Sequence, residues 1–185
     1  MRKFLYYSKR AYDFVVHDDS IWSWLVNLVL AFIIVKFIIY PTLALILGSS
    51  LPLVAVISGS MEHEGLGFDQ WWEQNGYWYE ERNITKEMFK EYKFKNGFNK
   101  GDVMVLMGAD NIQIGDVLVY NSPSHNYPII HRVTYINELD FVIKGDNNDI
   151  QDPSLVNQDQ VIGRAVLRIP YIGWIKIWFT QILGI

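Results

Sequence analysis

At 185 residues the chain has room for one domain, or for one domain and an anchor. Half of its residues are apolar and 15% are aromatic, while the net charge of −4 and the lack of a basic stripe leave no footprint for nucleic acid. With no cysteine, disulfides, cysteine-ligated metals and thiol catalysis are excluded.

Residues 1–20 carry Arg2, Lys3, Lys9 and Arg10 and read as a cytoplasmic or interfacial segment. Residues 21–48 read as a transmembrane anchor. From Ile21 to Leu47 the only charge is Lys36, and the run exceeds the roughly 20 residues that span a bilayer. Trp22, Trp24 and Tyr40 suit the two interfaces. Lys36 is expected to snorkel or face a partner helix, and Pro41 to kink or end the helix. The run is longer than the roughly 7–15 apolar residues of a cleaved signal sequence, so the anchor is expected to be retained. After Lys36 the next basic residue is Arg82. The positive-inside rule then places the N-terminus in the cytoplasm and everything beyond residue 50 outside.

Residues 51–168 read as a mainly β catalytic domain. Val54 to Ile57 is a short apolar run expected to be a buried strand, ending at Ser58-Gly59-Ser60. A hydroxyl at the end of a rigid strand is a good mount for a nucleophile, provided a base and an oxyanion site lie nearby. An aromatic-rich insertion follows at 65–100, with Trp71, Trp72, Trp78, Tyr79 and Phe89 among its aromatics. It reads as a small helical subdomain packing its own core or resting on the membrane; glycan stacking is the alternative. Thr85 caps a short helix reaching Tyr92, and Asn83-Ile84-Thr85 is a glycosylation sequon. His63 lies between Glu62 and Glu64, but consecutive residues cannot converge on one ion, so no metal is expected and no cofactor is implied.

Four further β segments follow: 102–107, 117–120, 129–136 and 141–144, with a turn at 137–140 between the last two. If Ile136 pairs with Phe141, His131 falls opposite Asp146, close enough for the carboxylate to orient the imidazole. A slip of one residue breaks that pairing, and 145–148 is then simply a turn. Residues 169–185 read as an amphipathic segment on the membrane, with a short second span as the alternative.

Ser58-Gly59-Ser60-Met61-Glu62, Gly115-Asp116-Val117, Ile130-His131-Arg132-Val133, Lys144-Gly145-Asp146-Asn147-Asn148, Asp152 and Gly163-Arg164-Ala165 occur in one order. In these boxes the chain resembles a type I signal peptidase of the archaeal and endoplasmic-reticulum branch. The resemblance covers roughly residues 20 to 175. It implies a membrane-bound serine endopeptidase that removes signal peptides from secretory precursors, cutting after small residues. Ser60 would be the nucleophile and His131 the general base, where the bacterial branch uses lysine. The acidic partners map onto Asp146 and Asp152, either of which could complete a triad. Ser58 would serve the oxyanion beside the Ser60 amide.

The resemblance further implies signal-peptide-bearing preproteins and the lipid bilayer as partners, with the secretion translocon or further subunits as additional ones. It places the chain in the cell membrane. The family's proline soon after Met61 is replaced here by Glu62-His63 and the insertion, which leaves the rim of the substrate cleft open. Lys144 is expected to pack by its stem with its head in water, and His17 and His125 to lie at the surface. The competing functions are a catalytically silent accessory subunit and an anchored surface binding protein.

Overall fold

The computed structural model describes residues 2–138 and 140–184. Leu139, in the expected turn at 137–140, lies outside the described residues. The chain forms two compact units, Met1–Ile46 and Leu47–Ile185.

The first unit holds a helix that the sequence reading left unassigned, α1 (Arg2–His17), followed by α2 (Ile21–Ile34). Ser20 caps α2 by accepting from the Ser23 N–H. The Ser23 hydroxyl donates to the Phe14 carbonyl at 2.6 Å and the Asn27 amide to the Val15 carbonyl at 2.8 Å, so two orphan carbonyls at the end of α1 are satisfied by α2.

The apolar helix runs on to Leu47, 27 residues in all, and is long and apolar enough to cross a membrane. Its length of about 40 Å exceeds a hydrocarbon core of about 30 Å. Pro41 neither ends nor breaks it. Ahead of Pro41 the helix widens into a π segment (Val35–Ile39), and the Tyr40 N–H reaches Val35, before α3 (Tyr40–Leu47) resumes. That local widening accommodates a residue with no N–H and a ring that crowds the preceding turn. The Lys36 ammonium lies 5.4 Å from the Phe37 ring centre and 5.6 Å from that of Phe32.

The second unit is mainly β, as expected. Its strands are β1 (Leu53–Ala55), β2 (Val103–Met107), β3 (Val117–Tyr120), β4 (Ile129–Asn137), β5 (Asp140–Lys144), β6 (Val156–Asn157) and β7 (Val161–Ile169). They form one antiparallel sheet in the order β1-β2-β7-β3-β4-β5-β6. β7 sits near the middle of that order and β6 at one edge, yet neither was anticipated. β1 is shorter than the expected Val54–Ile57 and lies at the other edge, half exposed; only Val56, just beyond it, is fully buried.

Alternation along β3 builds the core on both faces. Val117 and Val119 join Val56, Met61, Phe98, Met104 and Leu106. Leu118 and Tyr120 join Val133, Phe141, Ile143 and Val156.

Between β1 and β2 lie α4 (Phe68–Glu80) and α5 (Lys86–Glu91). Thr85 caps α5 by accepting from the Met88 N–H, as its position predicts. Phe68, Trp71, Trp72, Trp78, Tyr79, Ile84 and Phe89 form a separate buried cluster, with Trp71 and Tyr79 ring centres 5.3 and 5.0 Å from that of Phe89. The last element is α6 (Gly173–Leu183), which buries Ile177 and leaves Ile175, Trp178, Phe179 and Ile182 exposed.

Candidate active site

Val56 is locked into the sheet edge by its N–H to the Asp102 carbonyl at 2.8 Å and by its own carbonyl, which accepts from Gly101 at 2.9 Å. The chain then turns through Ser58-Gly59-Ser60. Met61, fully buried, plugs the turn into the core, and its carbonyl accepts from Phe98 at 3.0 Å. The Ser60 carbonyl accepts from Asn147 at 2.8 Å, in the turn closed by Asn148 N–H to the Gly145 carbonyl. That approach requires glycine at 145, because a Cβ there would lie 2.7 Å from the Ser60 carbonyl oxygen. Ser60 is therefore held by the buried Met61 after it and by the Gly145–Asn148 turn, with its hydroxyl 3.2 Å from that of Ser58.

His131 lies on β4 opposite Leu118 and is 6% exposed. Its Nδ1 is 2.7 Å from Asp152 Oδ2. Asp152 is fixed through its N–H to the Ile143 carbonyl at 2.8 Å. The Tyr120 hydroxyl donates to the same Oδ2. Burial and this bond to a carboxylate raise the Tyr120 phenol above its ordinary range, so it stays a donor. Ser58, Ser60, Tyr120, His131 and Asp152 line one cleft of about 300 Å³, with Val54, Ala55 and Ile57 along a further wall. His125 is exposed, as expected, and is one of the residues that line this cleft.

Asp146 does not join them. β4 and β5 pair as expected from Asn137–Asp140 to Tyr135–Val142, but an irregularity between Val133 and Tyr135 shifts the register by one. Arg132 then faces Lys144, and His131 no longer falls opposite Asp146. Asp146 is 1% exposed and takes a bidentate pair from Arg132, with Nε to Oδ1 at 2.9 Å and Nη2 to Oδ2 at 2.7 Å. Tyr79 donates to Oδ1 at 3.0 Å, and His63 Nε2 lies 3.4 Å from Oδ2. Burial alone would raise this carboxyl, but the Arg132 guanidinium overrides it and holds Asp146 well below the usual carboxylate range.

Arg132 is fully buried, and its remaining N–H groups bond the carbonyls of Lys93, Phe94 and Gly115 at 2.9–3.0 Å. All five of its donors are satisfied. This node ties the aromatic insertion to the sheet, and His63 completes the join by stacking on Trp71 at 3.8 Å. His63 is part of that packing.

The head of Lys144 is not in water. The residue is 2% exposed, its ammonium donates to the Gly145 carbonyl at 3.0 Å, and it lies 5.1 Å from the Trp78 ring centre. Burial lowers it to about 8. It does not line the cleft.

No family model matches the chain. The signal peptidase complex catalytic subunit of Schizosaccharomyces pombe is 32% identical over 154 residues, covering 77% of this chain and 74% of that protein. The chain belongs to the type I signal peptidase family. Within it the chain falls in the branch of the complex's catalytic subunits. A human catalytic subunit is 29% identical over 153 residues, 75% of this chain and 62% of the human protein. The Plasmodium falciparum subunit is 28% identical over 155 residues, 77% of this chain and 66% of its own length.

Proposed function

We propose that the chain is a membrane-bound serine endopeptidase that removes N-terminal signal peptides, with Ser60 as nucleophile, His131 as base and Asp152 as the third member. The observation that carries this reading is the 2.7 Å contact between His131 Nδ1 and Asp152 in a cleft shared with Ser60.

With Nδ1–H donated to Asp152, the other ring nitrogen, Nε2, is the one free to accept a proton. It takes the Ser60 proton as Oγ attacks the scissile carbonyl. The Ser60 amide and the Ser58 hydroxyl, 3.2 Å from Ser60 Oγ, stabilise the oxyanion. Asp152 balances the imidazolium. His131 then protonates the leaving amine, and water, deprotonated in turn by His131, releases the acyl group from Ser60. Asp146 serves structure, holding Arg132 and the turn against Ser60.

An extended precursor suits this cleft. β1 is an edge strand with one side unpaired, and its Val54 and Ala55, with Ile57 just beyond it, line the cleft. A peptide adding there would place alternate side chains in shallow apolar pockets, which fits cleavage after small residues. The apolar helix holds the domain to the bilayer with the N-terminus cytoplasmic, and α6, with Ile175, Phe179 and Ile182 exposed, rests on the lipid surface. Preproteins are the substrates, and further subunits and the translocon are the fitting partners.

The test incubates the detergent-solubilised chain with a precursor bearing a small-x-small site. Wild type should release the mature product, and Ser60→Ala and His131→Ala should not. Undiminished cleavage by Ser60→Ala would overturn the reading.

A further inference from the structure

Asp146 and Asp152 are each hydrogen-bonded by a tyrosine, but their surroundings differ. Asp146 is neutralised by a bidentate arginine. Among the described residues, the side-chain partners of Asp152 are Tyr120 and His131, and no lysine or arginine pairs with it. The ionisable side chains lining its cleft are Tyr120, His125, Tyr127, His131 and Asp152, with no lysine or arginine among them. On the Asp152 carboxylate, Oδ2 receives both the Tyr120 phenol and His131 Nδ1. Its other tether is its own backbone N–H to Ile143.

We infer that Tyr120 is a positioning residue for the Ser60–His131 site, its phenol holding the Asp152 carboxylate in the one rotamer that orients His131. The inference rests on the triad proposed above. Tyr120 is the last residue of β3, and its ring is packed among Leu118, Val133, Phe141 and Ile143. At 2% exposure it is rigid, whereas the segment carrying Asp152 belongs to the connection between β5 and β6. A phenol facing a carboxylate can only donate. It therefore fixes Oδ2 as an acceptor and His131 Nδ1 as the ring's protonated nitrogen. It also withdraws part of the carboxylate's charge, which sets how strongly Asp152 favours the imidazolium over the neutral ring.

Loss of the phenol has two consequences. The carboxylate gains a rotational freedom that costs catalysis. His131 in turn loses the fixed acceptor that keeps its proton on Nδ1.

Tyr120→Phe keeps the ring in its slot and removes only the oxygen. Cleavage of a small-x-small precursor by the full chain in detergent should show kcat lowered by about tenfold, as for loss of a hydrogen bond to a charged group, with KM within about twofold. On an Asp152→Ala background, Tyr120→Phe should add nothing further. A kcat within twofold of wild type, or an undiminished penalty without Asp152, would overturn the inference.

Ring NMR of the chain's four histidines, with His131 assigned by His131→Gln, supplies a readout independent of turnover. The His131 Nδ1–H signal, moved downfield when that proton is donated to Asp152, should weaken or move upfield in Tyr120→Phe, and an unmoved signal would also overturn the inference. If Ser60→Ala cleaves normally, or no form cleaves, the proposed function fails, while the Nδ1–H signal still decides the role of Tyr120.

Discussion

Two aspartates six residues apart carry opposite expectations, and substituting each separates scaffold from chemistry. In Asp146→Ala, the fully buried Arg132 keeps its three carbonyl partners and loses its counter-charge, and the buried Tyr79 hydroxyl loses its acceptor. Stranding a buried cation in this way costs about 3–5 kcal/mol. For a unit of this size that corresponds to about 6–20 °C in melting temperature.

The sign with pH follows from the same pair. A carboxyl depressed in the fold stabilises above its unfolded value of roughly 4 and loses that contribution only as pH falls below it. The difference between wild type and Asp146→Ala should thus be constant from pH 8 to 5 and shrink only in strong acid. Asp152→Ala, whose side chain is 15% exposed and faces no cation, should melt within about 1 kcal/mol of wild type. It should nevertheless lose about 10³–10⁴ in kcat, as expected for the third member of a triad. Tryptophan fluorescence melts in detergent, paired with precursor cleavage, read both quantities. Unchanged melting of Asp146→Ala would refute the structural assignment of that residue.

Burial that lowers Lys144 to about 8 means the unfolded chain binds this proton more tightly than the fold does, so stability should rise between about pH 8 and 10.5. Lys144→Met should abolish that rise, a relative change of about 3 kcal/mol readable in melts across the window. Ser58→Ala should lower kcat about 10²–10³-fold with little effect on KM, if its hydroxyl serves the oxyanion; a change confined to KM would argue for substrate contact instead. Gly97 has φ +63°, and a Cβ there would run into the Met61 carbonyl and the His63 ring. Gly97→Ala should therefore destabilise the fold by about 1–3 kcal/mol, measurable by denaturant titration.

The Ser58-Gly59-Ser60 turn was legible because its signal is local: an apolar run that stops at a glycine between two small hydroxyl residues. The insertion was legible for a similar reason, since its aromatics crowd into one stretch and Thr85 is a capping residue. The partner of His131 was not legible from pairing. The turn end of the β4–β5 hairpin obeys the simple count, but the irregularity at Thr134 moves every later residue by one, and no residue type there announces it.

β7 escaped notice because its tightest positions are filled by Gly163 and Ala165, small residues that give no apolar alternation. A Cβ at Gly163 would meet the Met107 carbonyl at 2.8 Å and the Ser49 hydroxyl at 2.9 Å, so the neighbouring strand's close approach is what selects glycine. Lys144 was misjudged because the residues that cover it, Trp78 and Tyr79, come from an insertion more than sixty positions away in sequence. Their placement is a tertiary fact with no local trace.

The central claim is that Ser60 is a nucleophile made reactive by His131. A fluorophosphonate, which adds covalently only to an activated hydroxyl, tests it most directly when the labelled residue is located by peptide mass spectrometry. Wild type should carry the adduct on Ser60, with labelling lost in Ser60→Ala and slowed by orders of magnitude in His131→Ala. An adduct elsewhere on the chain, or Ser60 labelling at the wild-type rate without His131, would contradict the account.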